Sequence, residues 1–228
     1  MKTTRTKTIH KRINTGHLIV HLALLAGIVV VVFPFLWMLL TSFKTTGESL
    51  KIPPTFFPEK WTLEAYKTIT SSTIPFGTVY LNTILSAVIT TVVQIVFCSM
   101  AGYAFARIEF PFKNFIFVLL LSVLMVPGQI FLLPQYQLIQ KMGLLNTIPA
   151  LFLPNLFSAF GTFLLRQFFM SMPQELEDAA IVDGCNRFQI FGRIMVPLIQ
   201  PGIAALTIFT FKFAWNDFMW PLIVNNSM

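Results

Sequence analysis

The chain has 228 residues, of which 55% are hydrophobic and only 11% are charged, and its mean hydropathy is +0.73. Soluble globular proteins have about 25% charged residues, so the composition excludes an ordinary soluble domain and indicates a polytopic membrane protein. The formal net charge of +7 is first a topology signal in such a protein, and we expect no nucleic acid partner.

Five apolar runs predict five membrane-spanning helices. The first follows a basic tail, residues 1–17, and is too long for the apolar core of a signal peptide; no small-residue cleavage site follows it. A run of about 20 apolar residues crosses a hydrocarbon core of ~30 Å. The predicted spans are residues 18–40, 79–106, 115–133, 148–168 and 202–224.

The distribution of Lys and Arg predicts the orientation of these spans. One side of the predicted membrane collects ten basic residues: Lys2, Arg5, Lys7, Lys11, Arg12, Arg107, Lys113, Arg166, Arg187 and Arg193. The other side has only Lys44, Lys51, Lys60, Lys67 and Lys141. By the positive-inside rule, we expect the N-terminus and the polar loop of residues 171–201 to lie in the cytoplasm.

The loop of residues 171–201 has the pattern of two short helices. Ser171 and Gln174 have capping-box spacing and predict the start of the first helix. Gly184 can adopt the left-handed conformation that ends a helix, and Asn186 can start the second one.

The same loop resembles the EAA loop of ABC importer permeases, whose pattern is Glu-Ala-Ala, three residues, Gly, nine residues and Ile-x-Leu-Pro. Here residues 178–180 read Asp-Ala-Ala, Gly184 follows at the family spacing, and residues 194–197 read Ile-Met-Val-Pro. The sequence departs from the pattern twice, because Asp178 replaces Glu and Val196 replaces Leu. Both replacements are conservative.

Further segments resemble the carbohydrate-uptake branch of that family, in particular its smaller maltose-transporter-type permease subunit. They are SFKTTGESL, LNTILSAVITT, GLLNT and WNDFMWPLI. The resemblance implies an all-α, polytopic transmembrane helix bundle of the type I importer kind, formed by residues 18–228. Members of this branch usually have six spans, so we expect a sixth helix to be missing from this chain.

The resemblance also implies the partners and the function. A permease of this kind works in the cell membrane with a second permease subunit, two ATPase subunits and an extracytoplasmic solute-binding protein, and it imports a sugar, an oligosaccharide or a glycerol-phosphate-like solute. We expect no catalytic residue, no metal and no cofactor in this chain, since no GxxxxGK[ST] motif is present. The expected ATPase-coupling residues are Glu177, Asp178, Ala179, Ala180, Asp183, Gly184 and Pro197.

A second candidate site lies in the fifth predicted span. Lys212 is about 16 Å from Pro201 along a helix, close to the bilayer midplane, where an intramembrane charge suggests a function. It can face a translocation pathway, or it can snorkel or pair with a partner subunit. Trp215, Asn216 and Asp217 follow it and are suited to contact a saccharide, although interfacial Trp is more often a membrane anchor.

Three alternatives remain open at this stage. One is an ABC permease for another small solute, such as a peptide or an amino acid. Another is a gradient-driven secondary transporter, for which Asp217 is the only candidate intramembrane acid. The third is a membrane-embedded enzyme, for which no nucleophile or metal cluster is visible in the sequence.

Overall fold

The computed structural model of the chain describes residues 15–71 and 75–225, with side chains from residue 19 onward. Within these ranges the chain forms helices and no β-strand, which confirms the predicted all-α class. Residues 1–14 of the predicted basic tail lie outside the described residues. The chain divides into two compact units, Met1–Gly77 and Thr78–Met228.

The first unit contains a long apolar helix, α1 (Thr15–Ser42), and two short ones, α2 (Thr46–Ser49) and α3 (Glu64–Ser71). The polar segment after α1 is folded around two buried charges. The Glu48 carboxylate accepts hydrogen bonds from the Thr55 hydroxyl at 2.9 Å and from the Glu59 amide at 2.8 Å. The Lys44 ammonium donates to the Thr55 carbonyl and lies 5.0 Å from the centre of the Trp37 ring.

The second unit is a bundle of helices joined by short turns. Its longest element, α4, begins at Phe76 and ends at Arg107. The helices that follow are α5 (Lys113–Ser122), α6 (Leu132–Lys141), α7 (Ile148–Phe152), α8 (Ala159–Met170), α9 (Glu175–Val182), α10 (Arg187–Gln189), α11 (Val196–Leu198), α12 (Gln200–Trp215) and α13 (Met219–Val224). Three 3₁₀ turns extend α5, α6 and α7, at Val123–Met125, Gly128–Phe131 and Leu153–Asn155.

Two described helices, Ile19–Ser42 and Phe76–Arg107, are each long and apolar enough to cross a membrane. Three further segments reach this length only as pairs of helices joined by a bend. The pairs are Lys113–Met125 with Gly128–Lys141 (97°), Ile148–Asn155 with Ala159–Met170 (50°), and Arg187–Leu198 with Gln200–Trp215 (77°). If each bent pair is one span, the described residues contain up to five spans. The predicted count of five spans stays a prediction.

The larger of two core clusters in the second unit lies where α4, α8, α9 and α12 meet. The approach of α4 to α8 depends on Gly102, since a Cβ there would lie 3.0 Å from the Arg166 amide nitrogen and 3.2 Å from the Leu165 Cβ. Deeper in the bundle, the buried Gln94 side chain donates to the Asn155 carbonyl at 2.8 Å. Its oxygen accepts from Thr210, so this polar side chain of the predicted second span faces protein.

Candidate functional site

The polar loop between α8 and α12 is a helical hairpin, as the sequence predicts, but its first helix starts later than predicted. Helix α9 begins at Glu175 with Gln174 as its N-cap, and no side chain caps it. The prediction that Ser171 caps this helix is wrong, because Ser171 ends α8 and its hydroxyl donates to the Phe168 carbonyl at 2.7 Å.

Gly184 ends α9 in the conformation that the sequence predicts. Its φ is +81°, which is costly for residues with a Cβ. The Cys185 amide donates to the Ala180 carbonyl at 2.9 Å, and the Gly184 amide donates to the Ile181 carbonyl at 3.0 Å. These two bonds form a Schellman motif, which satisfies carbonyls at the end of the helix.

The second arm of the hairpin begins at Asn186, also as predicted. The Asn186 side chain accepts from the Gln189 amide at 2.9 Å, and the Gln189 side chain accepts from the Asn186 amide at 2.8 Å. This reciprocal pair is a capping box.

This second arm contains a π-helical segment, Ile190–Met195, between α10 and α11. Pro197 lies two residues after this segment and has no amide hydrogen to donate to a carbonyl of the preceding turn. The π-helical segment thus lies next to a proline that cannot complete the regular helical hydrogen bonds. Such π turns are frequent at functional sites.

One side of the hairpin faces outward. Three of the predicted coupling residues, Asp178, Ala179 and Asp183, have exposed side chains, and Gly184 and Pro197 are exposed as well. Beside them lie three exposed apolar side chains that the sequence did not single out for coupling. We call these the apolar tip: Ile181 (48% exposed), Val182 (87%) and Phe188 (80%).

The other side of α9 faces the bundle and contains Glu177 and Ala180, each only 4% exposed. The Glu177 carboxylate has three partners. Its Oε1 lies 3.1 Å from Arg107 Nε, an ion pair without the alignment of a hydrogen bond, and its Oε2 accepts from the Tyr103 hydroxyl at 3.2 Å. Arg187 Nη1 lies 3.7 Å from Oε2.

The Arg107 guanidinium also reaches the end of α8. One of its terminal nitrogens donates to the Phe169 carbonyl at 2.8 Å and to the Met172 carbonyl. Sequence reasoning placed Glu177 with the exposed coupling residues because its partners, Tyr103 and Arg107, are about 70 positions away and no local signal identifies them.

The candidate pathway residues lie at the end of α12. Lys212, Asn216 and Asp217 line an open cavity of about 600 Å³, together with Phe209, Phe213, Phe218 and Met219. Within residues 15–71 and 75–225, the Lys212 side chain is exposed and forms no salt bridge. As expected from the helical spacing, it does not pair with Asp217, and the Asn216 side-chain amide donates to the backbone carbonyl of Lys212 at 2.8 Å.

The two tryptophans near this cavity differ in their surroundings. Trp215 is 36% exposed and packs against Phe211 and Tyr80, with ring centres 5.7 Å apart in each pair. Trp220 is buried, and its indole donates to the Ala150 carbonyl at 2.8 Å. Trp220 therefore joins α13 to α7, and only Trp215 keeps part of its ring accessible.

Comparison with known proteins identifies the family. The model of the family described as "Binding-protein-dependent transport system inner membrane component" matches residues 94–228, more than half of the chain. The chain belongs to this family. The match includes the hairpin, the cavity at the end of α12 and the Gln94 contacts.

Several curated permeases are similar to this chain over most of its length. The arabinooligosaccharides transport system permease protein AraQ of Halalkalibacterium halodurans is 38% identical over 200 residues, which are 87% of this chain and 72% of AraQ. The diacetylchitobiose uptake system permease protein NgcG of Streptomyces coelicolor is 36% identical, over 90% of this chain and 68% of NgcG. The sn-glycerol-3-phosphate transport system permease protein UgpE of Salmonella typhi is 33% identical, over 90% of this chain and 74% of UgpE.

A solved structure has the same fold. It is a bacterial ABC transporter involved in the import of the acidic polysaccharide alginate, with a TM-score of 0.80. The match covers 96% of this chain and 77% of the other at 21% identity. The chain is thus a multi-pass permease subunit of an ABC importer, which works with a solute-binding protein and with a separate ATPase that hydrolyses ATP.

Proposed function

We propose that this permease imports a saccharide, as one of two permease subunits in the transporter, and that the hairpin of α9 to α11 docks the ATPase. The names of AraQ and NgcG support the saccharide. The observation on which the docking surface depends is the apolar tip, since Val182 and Phe188 are 87% and 80% exposed at the end of a polar hairpin. Exposed apolar side chains rimmed by charge are typical of protein interfaces.

The chemistry of the hairpin suits a partner that closes and opens. The apolar tip enters a cleft of the ATPase, while Asp178 and Asp183 at its rim pair with basic or amide donors. Ala179 permits close approach because its side chain is small. Closure of two ATPase subunits then displaces α9, and the displacement changes which side of the membrane the pathway faces.

The proposed orientation places the N-terminus and the hairpin in the cytoplasm, from the positive-inside distribution of Lys and Arg. Cys185 can test this together with the docking surface. It follows Gly184 and is half-buried, whereas Cys98 is fully buried and serves as the internal control. The reagent is a membrane-impermeant maleimide, applied to right-side-out and inside-out vesicles with and without the co-expressed ATPase.

We expect labelling of Cys185 only in inside-out vesicles, and protection when the ATPase is present. Labelling from the outside would overturn the orientation. Labelling from the inside without protection would overturn the docking surface. Uptake of radiolabelled arabinooligosaccharide and diacetylchitobiose, with the cognate binding protein present, tests the saccharide itself, and uptake of neither above an ATPase-deficient control would count against these two substrates.

Lys212 favours a second candidate, an anionic saccharide or a polyol phosphate. Its exposed ammonium, which forms no salt bridge within the described part of the chain, lies in a helix of membrane-spanning composition, where a charge is costly unless it meets water or a counter-charge. A carboxylate or phosphate on the solute would supply that counter-charge in the cavity. UgpE is named as a permease for sn-glycerol-3-phosphate, a solute of this class.

A further inference from the structure

We infer that Glu177 is a positioning residue that fixes α9 to α4 and α8, and that it does not itself contact the ATPase. The inference depends on the proposed docking of the ATPase at the hairpin. It assigns the two sides of α9 different tasks: the outward side receives the ATPase, and the inward carboxylate passes the movement of α9 to the membrane helices.

The first reason is accessibility. The Glu177 side chain is 5% exposed; its Oε1 lies 3.1 Å from Arg107 Nε, and its Oε2 accepts from the Tyr103 hydroxyl. Its neighbour Asp178 is exposed. An ATPase seated on the outward side of α9 therefore reaches Asp178 and leaves Glu177 covered.

The second reason is the number of elements that meet at this carboxylate. Tyr103 and Arg107 lie in the last turns of α4, Arg187 begins the second arm of the hairpin, and Arg107 also holds the Phe169 and Met172 carbonyls at the end of α8. One guanidinium thus joins α4, α8 and α9. Arg suits this task because its planar fork offers five donors in a fixed geometry.

The third reason is the apolar surroundings. The Tyr103 ring packs against Phe169 of α8, with ring centres 5.5 Å apart, and against Phe191 of the π-helical segment at 5.3 Å. The side chains of Arg107 and Glu177 are only 10% and 5% exposed, so their ion pair is less screened than a surface pair. Removal of one partner would leave the other charge buried and uncompensated.

These contacts predict that α9, the end of α8 and the last turns of α4 move as one body. If the ATPase displaces α9, the end of α4 is displaced with it. Without the Glu177 charge, the hairpin remains folded by its own Schellman motif and capping box, but α9 can move while α4 stays in place. The expected defect is ATP hydrolysis without transport.

The test uses spin labels on the permease itself, so it does not depend on the solute or on ATPase docking. Labels at Gln174→Cys, the N-cap of α9, and at Glu109→Cys, just after α4, report the distance between the two elements; both positions are exposed. Cys185→Ser removes the accessible native thiol, and Cys98 is buried. The variants compared are Glu177→Gln, Arg107→Lys and the matched control Glu175→Gln, an exposed acid on the same helix.

We expect one narrow distance distribution in the parent and in Glu175→Gln, and a broadened or second population in Glu177→Gln and Arg107→Lys. In the reconstituted transporter, Glu177→Gln should retain the ATPase but transport at least tenfold less solute per ATP hydrolysed. If its distances and its solute-to-ATP ratio equal those of the parent, the inference is wrong. Loss of the ATPase with an unchanged distance distribution would instead make Glu177 an ATPase contact and overturn it as well.

A milder variant keeps the test decisive if Glu177→Gln does not accumulate. Tyr103→Phe removes one donor to the carboxylate and retains the ring packing. We expect it to lower the solute-to-ATP ratio at least twofold and to broaden the distances partially. An unchanged ratio and unchanged distances in Tyr103→Phe would contradict the inference. Failure of the docking proposal is recognised separately, by the absence of ATPase binding to the parent chain.

Discussion

The Thr210 hydroxyl of α12 donates a hydrogen bond to the Gln94 side-chain oxygen of α4, with the two atoms 2.5 Å apart. Both side chains are buried, and the Gln94 amide continues the chain of bonds to the Asn155 carbonyl. Three helical segments far apart in sequence are thereby joined at one polar point inside an apolar bundle.

Thr210→Val should destabilise the bundle, because it leaves the Gln94 oxygen without this donor. Interhelical hydrogen bonds in membrane proteins are worth about 1 kcal/mol, so we expect a loss of this order in the free energy of unfolding in detergent. Thr207→Val is the matched control, since the Thr207 hydroxyl donates to the Ile203 carbonyl of its own helix. Equal losses in the two variants would contradict the interhelical role.

Gly184→Glu should leave membrane insertion intact and abolish transport. A residue with a Cβ at a φ of +81° costs about 1–2 kcal/mol, which the short helix α9 can relieve by unwinding its last turn. Gly184→Asn is the control, because Asn tolerates the left-handed conformation. We expect normal membrane levels in both, uptake at background in Gly184→Glu and most of the parent uptake in Gly184→Asn. Normal uptake by Gly184→Glu would refute the prediction.

Val182→Asp should weaken the binding of the ATPase at least tenfold. Burial of a valine side chain contributes about 1.5–3 kcal/mol, and the aspartate would lose that contribution in the proposed cleft. The measurement is the amount of ATPase retained on the purified permease over a concentration series. Ile52→Asp is the control, as Ile52 is 96% exposed but lies in the polar segment after α1. If both variants retain the ATPase equally, the apolar tip is not the docking surface.

Lys212→Met should separate the two candidate solute classes. If the ammonium binds an acidic group of the solute, this variant lowers uptake of sn-glycerol-3-phosphate or a uronate oligosaccharide at least tenfold and leaves a neutral oligosaccharide within threefold. Lys212→Arg keeps the charge and should retain uptake of the anion. An equal loss for anionic and neutral solutes in Lys212→Met would instead place Lys212 against the partner subunit.

The segment after α1 should loosen in acid. Hydrogen bonding from the Glu59 amide holds the pKa of Glu48 below its ordinary value of 4.5, and the Thr55 hydroxyl and the Lys44 charge act in the same direction. A carboxyl whose pKa is lowered by folding stabilises the fold above its unfolded pKa and loses this contribution as the pH falls through the lower, folded pKa. Protection against amide exchange in residues 51–61, taken relative to the intrinsic rate at each pH, should therefore fall below about pH 4.5 in the parent and be less sensitive to acid in Glu48→Gln. Parallel pH profiles for the two proteins would show that Glu48 is not responsible.

Local signals allowed much of the hairpin to be predicted. The conformation of Gly184 and the cap at Asn186 follow from residue types and short spacings, and both predictions are confirmed. The prediction that Ser171 caps α9 was wrong. Ser171 instead ends the preceding helix, where its hydroxyl donates to the Phe168 carbonyl, and the short capping-box spacing does not distinguish the two positions.

Contacts between residues far apart in the sequence could not be predicted from these local signals. The Glu177 carboxylate lies beside Asp178 in the sequence, yet one is buried and the other exposed. The difference depends on Tyr103 and Arg107, which no periodicity in the loop reveals. Trp220 is a similar case: from its place in the sequence it is more often an anchor than a sugar contact, while its indole donates to the Ala150 carbonyl.

The π-helical segment between Ile190 and Met195 lets this arm tolerate a change of one residue in its length. Each residue in an α-helix turns the chain by about 100°, so a deletion within an ordinary helix would rotate everything beyond it. A π turn holds one residue more than an α turn, and a single deletion there can be absorbed by conversion to α-helix. Within this arm, the segment is accordingly the place where the chain can lose a residue while Asn186 and Pro197 keep their faces.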